Sequence, residues 1–170
     1  DASVGGPPIK AMVVYNSNPA IVAPDTSRVR EGLLREDLLT VVIEQFPTDT
    51  TTYADWILPA TTQLEHWDVH TAYGHHFVTL NTPAIEPRGE AASNTEIFRR
   101  LGEAMGFDDP EFCDSDTDLI EQSLDALGLD EQARQQLRHS GWVRVGEPGH
   151  RHREFGALST PSGRIELVRS

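Results

Sequence analysis

The sequence contains a single cysteine, Cys113, and no long hydrophobic run. One cysteine excludes an internal disulfide and any metal site built on a pair of cysteines, so nothing in the chain indicates an oxidising compartment. Because no apolar run approaches the roughly 18 residues that cross a bilayer, we expect no membrane span. The compartment stays open on these grounds, with the cytoplasm favoured over the periplasm.

Basic residues are also scarce. The 170 residues include 14 lysines and arginines against 27 aspartates and glutamates, for a net charge of −13. Nucleic-acid backbones need clustered positive charge, so the composition argues against them as partners. Positions 108–131 hold ten acidic and no basic side chains. This pattern is typical of a solvated helical face, and a docking surface for a basic partner is the alternative.

Several motifs that would indicate catalysis or phosphate binding are missing. The chain has no GxGxxG, GxxxxGK[ST] or GxSxG pattern, and Cys113 lies in an acidic segment that disfavours a thiolate nucleophile. Four histidines lie close together in the sequence, but Glu65 stands on the wrong side of the first one for an HExxH metal site. We therefore predict no metal ligand and no catalytic residue here, and interpret the region as a polar loop lining a ligand cleft or as surface histidines. The histidines are His66, His70, His75 and His76.

Apolar runs alternate with a helical pattern in the first third of the chain. Residues 9–15 and 38–43 are nearly continuous apolar runs, as expected for buried parallel strands, and "DWIL" at 55–58 is a shorter third one. A capped amphipathic helix is predicted at 25–35 and a helical turn from Thr48. This order predicts an α/β fold with a Rossmann-like parallel sheet and flanking helices.

Polar side chains follow each of these strands. Because ligands of open parallel sheets bind beyond the carboxyl ends of the strands, we expect these side chains to face one cleft. Glu44, after the second strand, could accept hydrogen bonds from ribose hydroxyls or a guanine edge, or could be a solvated strand end. The strand-end residues are Asn16, Ser17, Asn18, Glu44, Gln45, Glu65 and His66.

The remainder of the chain predicts helices and a hairpin. "EAASNTEIFRRLGEAMG", from Glu90, has a polar cap, helical spacing of apolar residues and a glycine stop. Two further helices are predicted at 116–127 and 130–139, and "FGALSTPSGRIELVRS" predicts a β-hairpin. We divide the chain into an α/β domain at 1–107, an acidic helical segment at 108–140 and a hairpin tail at 141–170.

Four segments in this order resemble the molybdopterin oxidoreductases of the dimethyl sulfoxide reductase class. They are "YNSNPA", "VVIEQFPTDTTTYADWILPATTQLEH", "PAIEPRGEAASNTEIFRRLGEAMG" and "LSTPSGRIEL". The similarity runs from about residue 9 to the end, with 108–155 variable. It implies a C-terminal part of a large catalytic subunit, ahead of a final domain absent from this chain.

The resemblance implies a bis(molybdopterin guanine dinucleotide) cofactor with molybdenum or tungsten, one guanosine end of which is held by the sheet domain. By position, the implied cofactor contacts are Asn18, the main chain of Ile43, Glu44, His66 and Asn94. Two departures are visible: "YGHHF" stands where many relatives carry a Gly-Arg pair, and Asn94 stands where Asp is common. Guanine recognition would then depend more heavily on Glu44.

The family also implies parts that this chain does not contain. The metal-ligating side chain lies in another segment, as does any iron-sulfur cluster motif in the N-terminal part, so the fragment alone is expected to be inactive. Its expected partners are the remainder of its own catalytic subunit and an electron-transfer subunit. The alternatives are a non-enzymatic nucleotide-binding module with the same sheet, or an interaction module whose acidic helices bind a basic partner.

Overall fold

A computed structural model describes residues 5–146 and 160–163 of the chain. Its first half is built on a parallel sheet of three strands in the order β1-β2-β3. The strands are β1 (Ala11–Tyr15), β2 (Leu39–Glu44) and β3 (Trp56–Pro59), and the connections contain helices α1 (Pro19–Val22) and α2 (Thr26–Leu33) and a 3₁₀ turn at Thr50–Tyr53. The predicted Rossmann-like sheet is therefore confirmed.

The chain continues into a second, antiparallel sheet and three longer helices. The second sheet has the order β4-β5-β6. The further elements are β4 (Asp68–His70), β5 (Phe77–Asn81), α3 (Asn94–Met105), α4 (Asp116–Ala126), α5 (Glu131–Ser140) and β6 (Trp142–Arg144), with a 3₁₀ turn at Pro110–Phe112. Each helix within the described ranges is too short or too polar to cross a membrane.

Capping residues explain where the predicted helices begin and end. The Ser93 hydroxyl accepts a hydrogen bond from Glu96 N at 3.2 Å, and Gly106 ends α3 in the left-handed region at φ 75°. Asp130 caps α5 through Ala133 N at 2.8 Å. Helices α2 to α5 were all predicted from these local signals, with bounds that differ by a few residues.

Two buried clusters stabilise the two sheets. Ile43 of β2 packs with Ala60, Ala92 and Ile97, so α3 covers the upper part of one face of the parallel sheet. The second cluster joins the antiparallel sheet to α4 and α5 and consists of Val78, Leu124, Leu129, Leu137 and Val143.

The second sheet was not predicted, because its short strands carry too little alternation to be recognised. Residues 66–76, interpreted as a polar loop, contain β4. Strand β5 lies before residue 107 and pairs with β6, which lies after residue 140, so this sheet joins the first and third proposed segments, and the helices of the second pack on it. The proposed domain division stays a prediction.

The predicted C-terminal hairpin lies mostly outside the described residues. Its turn is described: Gly163 N donates to Thr160 O at 2.9 Å, and Gly163 has a φ of 65°. The apolar runs on either side of this turn lie outside the described ranges.

Candidate functional site: a polar cleft at the carboxyl edge of the parallel sheet

A polar cleft of about 410 Å³ lies beyond the carboxyl ends of the three parallel strands. This volume falls within the roughly 300–1,000 Å³ typical of ligand pockets. Its position is where open parallel sheets bind ligands, as expected from the strand order. The lining residues are Asn16, Ser17, Asn18, Glu44, Gln45, Gln63, His66, Asp68 and Asn94.

Asn18 enters the cleft from the loop between β1 and α1. Its main-chain carbonyl accepts hydrogen bonds from Ile21 N and Val22 N, both at 3.0 Å, and so begins α1. Its side chain takes no part in this cap. Instead, Asn18 Oδ1 accepts from the buried Thr50, at 2.6 Å from the hydroxyl and 3.2 Å from the main-chain nitrogen. The amide is therefore anchored from inside the protein.

Glu44 is the last residue of β2 and is half-buried at the cleft. Its Oε1 accepts a hydrogen bond from Gln45 N at 2.8 Å. In the described part of the chain no donor approaches the other carboxylate oxygen, Oε2. The Gln45 side chain turns back to donate to Thr61 O at 2.9 Å. Glu44 thus keeps acceptor capacity for a ligand.

His66 is held by a second buried threonine. Its Nδ1 lies 2.8 Å from the hydroxyl oxygen of Thr61, which is 1% exposed. The main-chain carbonyl of His66 accepts from Asn81 Nδ2 at 2.7 Å, so β5 also fixes its position. The ring nitrogen Nε2 meets no partner among the described residues and is the atom that a ligand can use.

Glu65, one of the strand-end residues expected at the cleft, does not line it. Its carboxylate is buried and accepts hydrogen bonds from Thr62 N and the Thr62 hydroxyl, both at 2.7 Å, and from Arg88 N at 2.9 Å. The Thr62 amide, then its hydroxyl, and more weakly the Arg88 amide lower the pKa of Glu65. Glu65 therefore stabilises the loop that carries His66.

Asn94 reaches the cleft from a distant part of the chain, as the first residue of α3. Its Nδ2 donates to Asn16 Oδ1 at 3.5 Å, a long contact. Its Oδ1 is buried and accepts no hydrogen bond in the described structure. Because a buried acceptor without a donor is costly, this oxygen is suited to a donor group of a ligand.

The structure thus brings four of the five predicted side chains to one cleft: those of Asn18, Glu44, His66 and Asn94. The side chain of Ile43 is 1% exposed and lies in the core, so only its main chain is available for the predicted contact. Sequence reasoning missed Gln63 and Asp68, which follow the third strand without any motif, and the supporting hydroxyls of Thr50 and Thr61.

The charge of the cleft is unusual for a nucleotide site. Its lining has two carboxylates, Glu44 and Asp68, and neither lysine nor arginine. Such a lining suits hydroxyls and nucleobase edges better than phosphate groups. Across the described ranges, no three His, Cys, Asp or Glu side chains are arranged to hold a metal ion.

Comparison with known proteins gives the family. The family model described as "Molybdopterin oxidoreductase" matches residues 4–104, more than half of the chain. The chain belongs to the molybdopterin oxidoreductase family. The resemblance to the dimethyl sulfoxide reductase class is thereby confirmed, and it extends over the cleft.

Relatives match nearly the whole chain. The "Probable oxidoreductase YoaE" of Bacillus subtilis is 48% identical over 166 residues, covering 95% of this chain and 24% of that protein. The acetylene hydratase of Syntrophotalea acetylenica is 28% identical, covering 96% of this chain and 22% of that enzyme. This molybdopterin oxidoreductase segment therefore spans about a quarter of the length of these two relatives.

A solved structure shares the fold. "Acetylene Hydratase from Pelobacter acetylenicus" matches with a TM-score of 0.71 and 27% identity, covering 94% of this chain and 22% of that one. The agreement extends beyond the parallel sheet to most of this molybdopterin oxidoreductase segment.

Proposed function

We propose that this chain binds one guanosine end of a bis(molybdopterin guanine dinucleotide) cofactor within a molybdenum or tungsten oxidoreductase. The observation that carries the proposal is the cleft at the carboxyl edge of the parallel sheet. Asn18, Glu44, His66 and Asn94 converge there, although they come from four separate segments.

The hydrogen-bonding groups of the cleft fit a guanosine. Guanine carries N–H donors on its Watson–Crick edge and ribose carries hydroxyls, and these match the Glu44 carboxylate and the unsatisfied Asn94 Oδ1. Asn18 Nδ2 supplies a donor for an acceptor atom of the ligand. Because no cationic side chain lines the cleft, we propose that the dinucleotide phosphates lie outside it.

The role proposed for the chain is positioning and not chemistry. When bound, the cofactor supplies two-electron transfer at its metal, often with oxygen-atom transfer. The described residues contribute polar contacts that hold one end of it, so the isolated chain should be inactive. Relatives carry names as different as "Acetylene hydratase" and "Trimethylamine-N-oxide reductase 1", which supports a segment that does not select the substrate.

The remainder of the same catalytic subunit is the proposed partner. One face of the parallel sheet carries an uncovered apolar strip, defined here as Val13, Leu39 and Trp56, with exposed fractions of 47%, 46% and 66%. Val13, Val41 and Trp56 lie in register across the three strands. Parallel sheets are normally covered on both faces, so we assign this strip to contact with the rest of the subunit.

Glu44 gives the test of the cofactor assignment. In the catalytic subunit, Glu44→Ala should weaken cofactor binding by about 1–3 kcal/mol, because hydrogen bonds to a charged acceptor are lost. The measurement is the guanine and metal content of the purified subunit. Glu36→Ala, on the exposed loop before β2, is the matched control and should retain both.

Normal guanine and metal content in Glu44→Ala, with normal thermal stability, would contradict the assignment. Tight binding of GMP by the isolated chain would instead favour a free-standing nucleotide-binding module. An incomplete cofactor cleft should bind GMP only weakly.

A further inference from the structure

Thr50 is the only residue among those described whose groups hydrogen-bond the side-chain oxygen of Asn18. It is fully buried at the start of the 3₁₀ turn between β2 and β3, far along the chain from Asn18. Nothing in the strand-end pattern indicates such a contact.

The hydrogen bonds at Thr50 determine the orientation of the Asn18 side-chain amide, that is, which of its two terminal atoms is the oxygen. The main-chain N–H of Thr50 can only donate, so the amide atom 3.2 Å from it must be the oxygen. The Thr50 hydroxyl accepts from Ala20 N at 3.2 Å and can therefore donate its own proton to the same oxygen at 2.6 Å. Exchanging the oxygen and nitrogen of the amide would place its NH₂ against the main-chain N–H of Thr50, so that two donors would face each other.

We infer that Thr50 is a positioning residue for the cleft: it holds Asn18 Oδ1 inside the protein so that Nδ2 is presented to an acceptor atom of the ligand. The inference rests on the proposed function, since the ligand is taken to be the guanosine end of the cofactor. Asn18 Nδ2 donates to no protein acceptor in residues 5–146 and 160–163, and Asn18 lines the cleft. The cleft then offers a fixed donor at Asn18 and a fixed acceptor at Glu44.

This polarity limits the ligand group that Asn18 can hold. An N–H donor selects an oxygen or an unprotonated ring nitrogen, whereas the Glu44 carboxylate selects an N–H or O–H group. A guanosine carries both types, so each side chain has a separate contact. An aspartate at position 18 would keep the contact with Thr50 but present a second acceptor in place of the donor.

The experiment measures how fast the cofactor leaves the full-length catalytic subunit in mild urea, read as guanine in the filtrate. Thr50→Val keeps the size of the side chain and the main-chain N–H but removes the hydroxyl. We expect release about threefold to tenfold faster, because the hydrogen bond from the hydroxyl to Asn18 Oδ1 is lost. Thr50→Ser should restore the original rate. Thr52→Val, an exposed hydroxyl in the same turn, should leave it unchanged.

A double-mutant cycle separates positioning from a general structural role. If Thr50 acts through Asn18, most of the effect of Thr50→Val should disappear in an Asn18→Ala background, leaving only the part caused by the lost acceptor of Ala20 N. The full effect in that background, or a rate for Thr50→Val equal to that of Thr52→Val, would overturn the inference. If instead Asn18→Ala and Glu44→Ala both release cofactor at the original rate, the proposed function itself fails.

The polarity can also be tested without changing Thr50, in case Thr50→Val does not fold. Asn18→Asp should release the cofactor faster than Asn18→Ala, because the carboxylate would place an acceptor opposite an acceptor atom of the ligand. Equal or slower release from Asn18→Asp would show that the cleft does not present a donor at this position.

Discussion

At the scale of single residues, buried side chains set the geometry of the cleft while half-buried ones line it. Thr50, Thr61 and Glu65 are each at most 8% exposed, and their hydrogen bonds hold Asn18 and His66 or the loop around them. Because each of these groups is desolvated, an unmatched partner would be costly, and so the arrangement is specific. The geometry of the cleft is therefore set by residues that do not line it.

Glu65 gives a prediction at this scale. Its folded-state pKa lies below the ordinary value of 4.5, so its stabilising contribution is present above pH 4.5 and is lost as the pH falls through the folded pKa. We expect Glu65→Gln to lower the urea midpoint of unfolding at pH 7. The difference in urea midpoint between the variant and the original chain should become smaller as the pH falls below 4.5.

Glu86→Gln serves as the control for Glu65, since Glu86 is an exposed carboxylate in the following loop. It should not change the urea midpoint at either pH. If the urea midpoints of Glu65→Gln and the original chain differ by the same amount from pH 7 to pH 3, the ionised carboxylate is not stabilised by its hydrogen bonds from Thr62 and Arg88.

At the scale of elements, the antiparallel sheet packs against helices α4 and α5. Leu124 of α4 and Leu137 of α5 are almost fully buried against Val78 of β5 and Val143 of β6. Arginines of α5 also pair with acidic groups of α4: Arg134 Nη1 lies 3.2 Å from Glu121 Oε2 and Arg138 Nη2 lies 2.7 Å from Glu121 Oε1. Part of the acidic stretch thus has basic partners within the chain.

Removal of Leu137 tests this packing. Leu137→Ala should destabilise the chain by about 2–5 kcal/mol, because it leaves a cavity between α5 and the sheet. Hydrogen exchange should rise in β5 and β6 as well as in α5. The control is Gln136→Ala, one residue earlier on the exposed face, which should be nearly neutral. Unchanged exchange in β5 would mean that this strand does not depend on the helix for its stability.

At the scale of the whole molecule, the apolar strip of Val13, Leu39 and Trp56 is the surface that we propose to contact the rest of the subunit. Helix α3 covers the upper part of the same sheet face, where the rings of Tyr15 and Phe98 meet edge to face at 5.3 Å. Lower on this face, large apolar side chains are exposed. Such a surface is typical of a chain that packs against further protein.

Trp56→Lys should therefore have different consequences in the isolated chain and in the full-length catalytic subunit. In the isolated chain it should reduce self-association, measured by sedimentation velocity, with little change in thermal stability. In the full-length subunit it should lower the free energy of unfolding by about 3 kcal/mol, because it would bury a charge and remove an aromatic contact.

Tyr73→Lys is the control for Trp56, because Tyr73 is 97% exposed and lies between β4 and β5, outside the parallel sheet. It should be neutral in both contexts. If Trp56→Lys is equally harmless in the full-length subunit, the strip is not the contact surface.

The sequence by itself determined the parallel sheet and six of the cleft residues, which are the predicted strand-end residues other than Glu65. Continuous apolar runs and the polar residues that end them are local signals, and the carboxyl ends of parallel strands meet at one edge whatever the rest of the chain does. Asn18, Glu44 and His66 could therefore be located without coordinates. The family resemblance added Asn94 and the main chain of Ile43, which no local pattern had indicated.

Only the tertiary structure decided which polar groups face the cleft and which support it. Glu65 and His66 are neighbours in sequence. Glu65 is buried and accepts hydrogen bonds from Thr62 and Arg88, whereas His66 lines the cleft. The pairing of β5 with β6 likewise joins distant parts of the chain, and such short strands leave no periodic signal in the sequence. These features depend on contacts between distant segments, whose free energies are set by packing and desolvation and not by local propensity.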